Sequence, residues 1–259
     1  MDAGTRDILA GISRWRDWLT LGWYDFSIHY RRTLMGPFWQ TIQVGIWVLG
    51  LTLVFGRHEG QGIHYVAYVA TGVTFWNFLS SSLTNGAGVF NRRANLIRNL
   101  ENPLSLHVFR SITESTARLG FQFLAFFAIV AYSPDLLTPA TLMFIPGLLA
   151  VLFTVAWVAP LMGIIGSRYH DTEHFLSVLM RFLFFTTPIF WVARETSGAR
   201  TWLAALNPFT HFLEIVRAPL LGEMPGSTAW TVVLCITLPG SLISYYLFRR
   251  CRQSIVFWV

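Results

Sequence analysis

The chain has 259 residues, of which 54% are hydrophobic, 16% aromatic and only 12% charged. A soluble domain carries about 25% charged residues, so this composition disfavours a water-soluble fold and is typical of a polytopic all-α membrane protein. All 19 basic residues are arginine, and the lack of lysine excludes both a P-loop ATP site and a Schiff-base lysine.

Residues 1–33 predict an amphipathic helix that lies in the membrane interface. Ile8, Ile12, Trp15 and Leu19 recur at three- and four-residue spacing with charged residues between them, and such helices hold tryptophan at headgroup depth. A soluble helix packed on another protein is the alternative interpretation.

The stretch YRRTLMGPFWQ leads from this helix into the first apolar run. Its arginines favour the anionic headgroups at the cytoplasmic end of a span, its glycine permits a turn, and its proline suits a first helical turn. The residues concerned are Tyr30, Arg31, Arg32, Gly36 and Pro37.

Six apolar runs have about the 20-residue length that a membrane-crossing helix needs. They cover 38–55, 63–83, 112–132, 141–166, 175–192 and 229–248 of a single transmembrane domain, 1–259. If the flanks are assigned alternately to the two sides, one side receives thirteen arginines and the other four, with two more inside runs. The positive-inside rule therefore predicts that both termini are cytoplasmic.

Because the arginines form short clusters rather than one basic face, membrane lipid and not nucleic acid is the expected polar partner.

The cytoplasmic loop 85–110 predicts a short amphipathic helix that ends at Asn102-Pro103. Its apolar side, together with Arg92, Arg93 and Arg98, suits docking to a soluble partner. Contact with anionic lipid is the alternative.

The external segment 194–228 predicts two short helices with a break at Asn207-Pro208, because a residue before proline avoids the helical conformation. Both helices are too short to span a bilayer. We expect them to dip into the outer leaflet or to cap a channel.

One charged segment follows the fourth run. HDTEH, residues 170–174, has the H-x-x-E-H spacing of a zinc-peptidase helix, but no third ligand follows it, so no metal site is expected. Arg168, Asp171 and Glu173 are better interpreted as a polar cluster at a membrane end or as a contact with a partner.

Two arginines lie inside apolar runs. For Arg181 in the fifth run and Arg118 in the third, the sequence favours structural pairing and substrate contact equally. Glu114, one turn before Arg118, is placed to form an ion pair with it. We group Arg181 with the polar membrane-end cluster.

Aromatic residues inside the runs are candidates for a channel lining. Trp47, Phe182 and Phe184 lie away from the interfaces, and rings on a passage wall would suit sugars, although membrane packing is the ordinary explanation. Phe75 and Trp76 complete this set. Neither a catalytic triad nor a carboxylate deep in a run stands out, so enzymatic chemistry and proton-driven transport are disfavoured.

Four motifs in order resemble the membrane subunits of ABC-type polysaccharide exporters, which move O-antigen, capsule or teichoic-acid polymers. They are YRRTLMGPFWQ, LIRNLENPLSLHVFR, SRYHDTEHFLSVLMRFLFFTTPIFW and LNPFTHFLEIVRAPLLG, and the resemblance covers essentially the whole chain. The family writes Arg-Asp directly, whereas here Tyr169 and His170 separate Arg168 from Asp171.

The resemblance implies a homodimer joined to two copies of a separate ATPase that holds ATP and Mg²⁺, with no cofactor on this chain. It implies that the ATPase meets the interface helix, about Arg6–Tyr24, and the loop helix, and that YRRTLMGPFWQ is a hinge between interface helix and channel wall. The coupling residues implied by position are Arg92, Arg93, Asn95, Leu96, Arg98, Asn99 and Glu101. External helices carrying Asn207, Pro208 and Arg217 would shape the exit of a channel between the protomers.

The expected function is export of a lipid-linked polysaccharide, with O-antigen the foremost substrate and capsule or teichoic acid next, across the bacterial inner membrane. An ABC exporter for drugs or lipids is an alternative. A polytopic enzyme that modifies glycolipids is a further alternative from another class.

Overall fold

The computed structural model describes residues 3–59, 62–99, 102–192 and 198–259, and the regular elements in these ranges are all helical. The α-helices are α1 (Ala3–Ser13), α2 (Trp15–Ile28), α3 (Trp39–Glu59), α4 (Gly62–Ala87), α5 (Ala94–Asn99), α6 (Leu104–Tyr132), α7 (Phe144–Arg168), α8 (Thr172–Thr186), α9 (Ala199–Leu206), α10 (Pro208–Leu220) and α11 (Ser227–Trp258). Short 3₁₀ turns precede α3, α5 and α7. The expected all-α class is therefore confirmed.

Four stretches of the described residues are long and apolar enough to cross a membrane: Gly36–Gly56, Leu104–Tyr132, Pro139–Arg168 and Ser227–Trp258. They contain α6, α7, α11 and most of α3, and they overlap four of the six predicted spans. Helices α4 and α8 overlap the other two, but α4 carries a polar stripe of Asn, Ser and Thr and α8 has only 15 residues. The structure thus supports four spans by composition rather than six.

The fifth predicted span, 175–192, is longer than the helix found there. Helix α8 ends at Thr186, and Thr187 is extended, with φ −91° and ψ 136°, because it precedes Pro188. From Thr187 to Val192 the chain is not helical. We call this stretch the exit segment. Hydropathy detected the apolar run but not its change of backbone conformation.

The predicted interface helix is divided into two helices by Arg14, whose ψ of 40° is not helical. The face that packs on the rest of the protein consists of small residues, acids and Phe26 rather than of the predicted apolar stripe. Gly11 lies against Ser105 and Leu106, and Gly22 lies against the carbonyl of Arg110. Glycine permits this close approach because it has no Cβ. The larger apolar residues Ile12, Trp15 and Leu19 consequently remain exposed.

Helix α4 lies at the centre of the bundle and packs against α3, α6, α7 and α8. Its contact with α7 depends on small residues, since Gly86 faces Ala159 and Gly166 approaches the carbonyl of Ala87. Small residues at such crossings let membrane helices come close enough for extensive van der Waals contact. This central position makes α4 one wall of the groove described next.

Candidate functional site

A groove of about 820 Å³ runs between α3, α4, α6 and α8. Each wall contributes residues at helical spacing, so a single face of each helix lines the groove. The lining consists of Gln40, Gln43, Trp47, Leu51, Phe55, Val73, Trp76, Asn77, Ser80, Ser81, Thr84, Arg118, Gln122, Ser177, Met180, Arg181, Phe184, Phe185 and Phe190. These lining residues include no carboxylate and no histidine, so the groove offers hydrogen bonds and ring faces rather than acid–base chemistry.

One end of the groove is polar and includes the beginning of α3 and the end of α4. Gln122 Nε2 donates to Gln40 Oε1 at 2.7 Å, and Gln40 Nε2 donates to the hydroxyl of Tyr30 at 2.5 Å. The groove wall is therefore hydrogen-bonded to the hinge that follows α2. Sequence reasoning missed the glutamines, although Gln40 and Gln43 share one face of a helix with Trp47.

Aromatic rings dominate the groove beyond this polar end. Phe184 lies at their centre, with ring centroids 6.2 Å from Trp47, 6.0 Å from Trp76 and 5.8 Å from Phe190. Phe190 in turn lies 4.8 Å from Phe55. These are distances at which aromatic rings interact favourably, and together the rings form a continuous apolar wall.

The structure brings together three of the five aromatic residues proposed for a channel lining: Trp47, Trp76 and Phe184. Phe75 is fully buried on the other side of α4, with ring centroids 5.9 Å from both Phe123 and Phe144. Phe182 is exposed on the outer face of α8 and does not line the groove. Phe75 lies outside the face of α4 on which Trp76, Ser80 and Thr84 follow one another at helical spacing, so its side chain faces the core and not the groove.

Two arginines line the groove, and their surroundings differ. Arg118 Nη2 lies 3.0 Å from Glu114 Oε1, which is the predicted ion pair one helical turn apart. Arg181 is exposed to the groove and makes neither an ion pair nor a hydrogen bond within the described part of the chain. An unpaired charge at such a position is a candidate contact for a polar substrate.

The exit segment, Thr187 to Val192, is held by polar side chains at the aromatic end of the groove. Tyr65 donates its hydroxyl to the carbonyl of Phe190 at 2.6 Å, and buried Arg217 donates Nη1 to the carbonyl of Pro188 at 2.6 Å. The Arg217 guanidinium also lies 3.8 Å from the ring centroid of Tyr68. These bonds satisfy carbonyls that a continued helix would have paired.

Asn207 and Pro208 occupy the break predicted between the two external helices. Asn207 caps α10 by accepting a hydrogen bond from the backbone N–H of Phe209 at 3.0 Å, and Pro208 occupies the first helical turn, where its missing N–H costs nothing. The amide of Asn207 also donates to Thr187 Oγ1 at 2.8 Å. The predicted external residues thus fix the exit segment.

Asp25 joins three elements: α2, the loop after α4, and α6. Its carboxylate accepts from Arg93 at 3.0 Å and forms a bidentate ion pair with Arg110 of α6. Burial alone would raise the pKa of Asp25, but the hydrogen bonds and charges of the two arginines outweigh it and lower that pKa below the ordinary value. Helix α2, the loop and α6 are thereby tied at one carboxylate, which the sequence analysis did not identify.

Three of the residues expected to couple to an ATPase are bound to other parts of the chain. Arg92 pairs with Glu173 at 2.7 Å, Arg93 pairs with Asp25, and Arg98 donates to the backbone oxygen of Val259. Asn95, Leu96 and Asn99 of α5 are exposed, as are Arg92 and Arg98. Glu101 lies outside the described residues.

The four residues grouped as a membrane-end cluster have separate surroundings. Glu173 is engaged by Arg92, the guanidinium of Arg168 lies 5.4 Å from a Trp258 ring centroid, and Arg181 faces the groove. Asp171 is the residue before the first turn of α8, where a negative charge favours the helix dipole. No group of three metal-ligating side chains occurs within the described ranges.

The predicted hinge has an unusual backbone. Gly36 has φ +55° and Arg32 has φ +70°, and Pro37 lies in the 3₁₀ turn that leads into α3. A positive φ favours glycine because a Cβ clashes with the backbone in that region. The connection between α2 and α3 therefore contains a backbone conformation that favours glycine, while Arg31 remains exposed.

Comparison with known proteins relates the chain to transport proteins. The family model described as ABC-2 type transporter matches residues 16–221, which include every residue that lines the groove. Two relatives from Klebsiella pneumoniae, each named O-antigen export system permease protein RfbA, are 20% identical over 205 residues and 22% identical over 199 residues, covering 73% of this chain and 74% of each relative. A protein of the same name from Myxococcus xanthus is 21% identical over 198 residues, covering 75% of this chain and 76% of the relative.

Proposed function

Because the chain belongs to the ABC-2 type transporter family, we propose that it is the permease subunit of an ATP-driven exporter of a lipid-linked polysaccharide. O-antigen is the foremost substrate class, in keeping with the names of its relatives, and capsule or teichoic-acid polymers come next. The observation that carries this proposal is the groove, which combines amides and hydroxyls at one end with a cluster of aromatic rings at the other. A glycan presents hydroxyls and C–H faces that match both surfaces.

The proposed topology has six spans in the bacterial inner membrane, with both termini in the cytoplasm. Helices α4 and α8 would complete the four apolar spans, and their polar residues are compatible with membrane depth because they face protein and the groove rather than lipid. The polar end of the groove then lies toward the cytoplasm and the exit segment toward the outside. A glycan would thus enter among hydrogen-bonding groups and leave past aromatic rings.

The groove is one half of the proposed channel, and a second copy of the chain supplies the other half. Large apolar side chains remain exposed on α3 and α8, two of the four helices that border the groove; they are Ile46, Leu49, Leu53, Val54, Phe175, Val178, Phe182 and Phe185. A symmetric dimer would bring the same surface of each copy together. Phe182 would then contribute to the contact between copies rather than to the lining.

The energy would come from two copies of a separate ATPase that binds ATP and Mg²⁺, because this chain has no lysine for a P-loop. Exposed Asn95, Leu96 and Asn99 on α5 are the proposed docking surface. Movement would pass from the loop through Asp25 to α2 and α6. The hydrogen bonds that join Tyr30, Gln40 and Gln122 then extend this route into the groove.

Reconstitution tests the proposal. The chain and its partner ATPase, placed in proteoliposomes, should show ATP hydrolysis that rises with lipid-linked glycan, and Trp76→Ala should weaken this stimulation. Phe127→Ala, which removes an exposed ring from α6 outside the groove, is the matched control. Stimulation by small hydrophobic drugs but by no glycolipid would instead assign the chain to drug export.

A further inference from the structure

A second cavity, of about 270 Å³, lies between α1, α6, α7 and α11, away from the groove. Its walls are almost entirely apolar and are formed by Ile8, Ser105, Val108, Phe109, Phe153, Ala156, Trp157, Pro160, Ser241, Ser244, Tyr245 and Phe248. Phe153 and Tyr245 are 51% and 39% exposed. The cavity therefore opens on the outer surface of the bundle.

The hydroxyl groups in the walls are already engaged, and only the buried indole N–H of Trp157 has no partner among the described lining residues. Ser244 Oγ donates to the carbonyl of Trp157 at 2.7 Å, Ser241 Oγ donates to the carbonyl of Leu238 at 2.8 Å, and the hydroxyls of Tyr245 and Thr5 lie 2.8 Å apart. A single free donor does not hold a buried water well, because such a water needs about two to four polar partners, and apolar cavities accept apolar ligands. The occupant is therefore expected to be hydrocarbon.

The surroundings indicate a lipid rather than a protein segment. The cavity opens between α7 and α11, two membrane-spanning candidates whose outward faces expose Leu149, Leu238 and Leu242. At the cytoplasmic side of the cavity, the Arg249 guanidinium lies 5.4 Å from the ring centroid of Tyr245, and Arg250 is next to it. A basic group beside an apolar opening is complementary to a phosphate that carries an acyl chain.

We propose that this cavity binds one acyl chain of an anionic membrane phospholipid, whose phosphate is held by Arg249. The bound lipid lies against Ile8 of α1, and it fixes the interface helix to α7 and α11. This site is independent of the glycan and of the groove, so its test does not depend on the substrate of the exporter.

Photocrosslinking tests the site in the full-length chain, reconstituted in phosphatidylcholine nanodiscs. A trace of phosphatidylglycerol with a diazirine in its acyl chain is added, and mass spectrometry locates the crosslinks. We expect them to be concentrated on the cavity walls, at 153–160 and 241–248. Ala156→Phe and Ser241→Leu fill the cavity from opposite walls and should each reduce this labelling about tenfold. Leu149→Phe, on an exposed position of α7 outside the cavity, is the matched control and should not reduce it.

The headgroup is tested separately. Arg249→Gln should reduce the preference for phosphatidylglycerol over a phosphatidylcholine probe by about fivefold, while the location of the crosslinks stays the same. Thermal unfolding of each variant shows whether it is folded, and the two cavity-filling variants provide independent results. Labelling spread evenly over the exposed faces of α7 and α11, or unchanged by both fillings, would overturn the proposal. Displacement of the probe by polyprenyl phosphate but not by unlabelled phosphatidylglycerol would also overturn it, since the site would then belong to a substrate lipid.

Discussion

Replacement of Asp25 by asparagine isolates the ion-pair cluster that ties α2 to the loop and α6. The side chains of Asp25, Arg93 and Arg110 are only 17%, 11% and 14% exposed. Removing one partner from a buried ion pair costs about 3–5 kcal/mol, and here it leaves two guanidinium groups facing each other. Because each side chain retains some contact with solvent, we expect a loss of about 3 kcal/mol, at the low end of that range.

Thermal unfolding in detergent measures this loss. For a chain of this size, 1 kcal/mol corresponds to about 2–4 °C, so Asp25→Asn should lower the apparent Tm by about 6–12 °C. The coupling route predicts a second effect, namely a loss of glycan stimulation of the ATPase below the unfolding temperature. The two readouts distinguish stability from coupling.

Asp17→Asn is the matched control because it removes the same charge from the same helix. Asp17 is exposed in the first turn of α2, and its interaction with the helix dipole is worth at most about 1 kcal/mol. If Asp25→Asn and Asp17→Asn lowered the Tm equally, the Asp25 cluster would not stabilise the fold more than an exposed charge does, and the reasoning from burial would be refuted.

Three further predictions concern pH, the groove and the hinge. The pKa of Asp25 is lowered in the folded chain, so the stabilisation by its carboxylate is fully present above the unfolded pKa of about 3.9. This stabilisation is lost as pH falls through the lowered pKa of the folded chain. The Tm difference between wild type and Asp25→Asn should thus be constant from about pH 5 to 8 and shrink in stronger acid. Phe184→Ala removes ring contacts worth about 0.5–1.5 kcal/mol each and should lower glycan transport several-fold in a flux assay, with Phe127→Ala unchanged. A Cβ added at Gly36 meets no atom within 4 Å, so the cost of a substitution comes from the positive φ and is about 1–2 kcal/mol. Gly36→Ala and Gly36→Leu should therefore impair export equally, with normal membrane insertion. Gly36→Asn should impair export less. Normal export by a correctly inserted Gly36→Leu protein would reduce the hinge to an anchor.

Features that depend on neighbours in sequence were predictable. The break at Asn207-Pro208 follows from the conformational limits of proline, and the pairing of Glu114 with Arg118 follows from helical spacing. The early end of α8 was predictable in the same way, because Pro188 is visible in the sequence. Hydropathy, however, measures composition and not backbone conformation, and the apolar run extends to 192 although the helix ends at Thr186.

The orientation of helix faces was harder to predict, but α4 did contain a signal. Asn77, Ser80, Ser81 and Thr84 recur at helical spacing and define a polar stripe, which lines the groove. Trp76 lies beside that stripe, whereas Phe75 points away from it into the core. The polar stripe therefore distinguishes the two rings: it predicts that Trp76 lines the groove and that Phe75 does not.

Contacts between distant parts of the sequence could not be predicted from one chain. Asp7 accepts from the backbone of Leu104 and Ser105 and pairs with Arg252 at 2.6 Å. Nothing near Asp7 in sequence distinguishes it from exposed Asp17 of the same region. A buried acid needs partners to offset its lost hydration, and these partners come from α6 and α11.

The two ion pairs of the loop differ in a way that bears on coupling. Arg92 and Glu173 are 43% and 40% exposed, and a pair in that much solvent contributes about 0–1 kcal/mol. The Asp25 cluster is several-fold stronger by the same reasoning. A contact that must open and close during each transport cycle has to be weak, and one that must carry force without breaking has to be strong. We therefore expect the loop to stay attached to α2 and α6 through Asp25 while its contact with α8, which carries Arg181 and Phe184 into the groove, is made and broken.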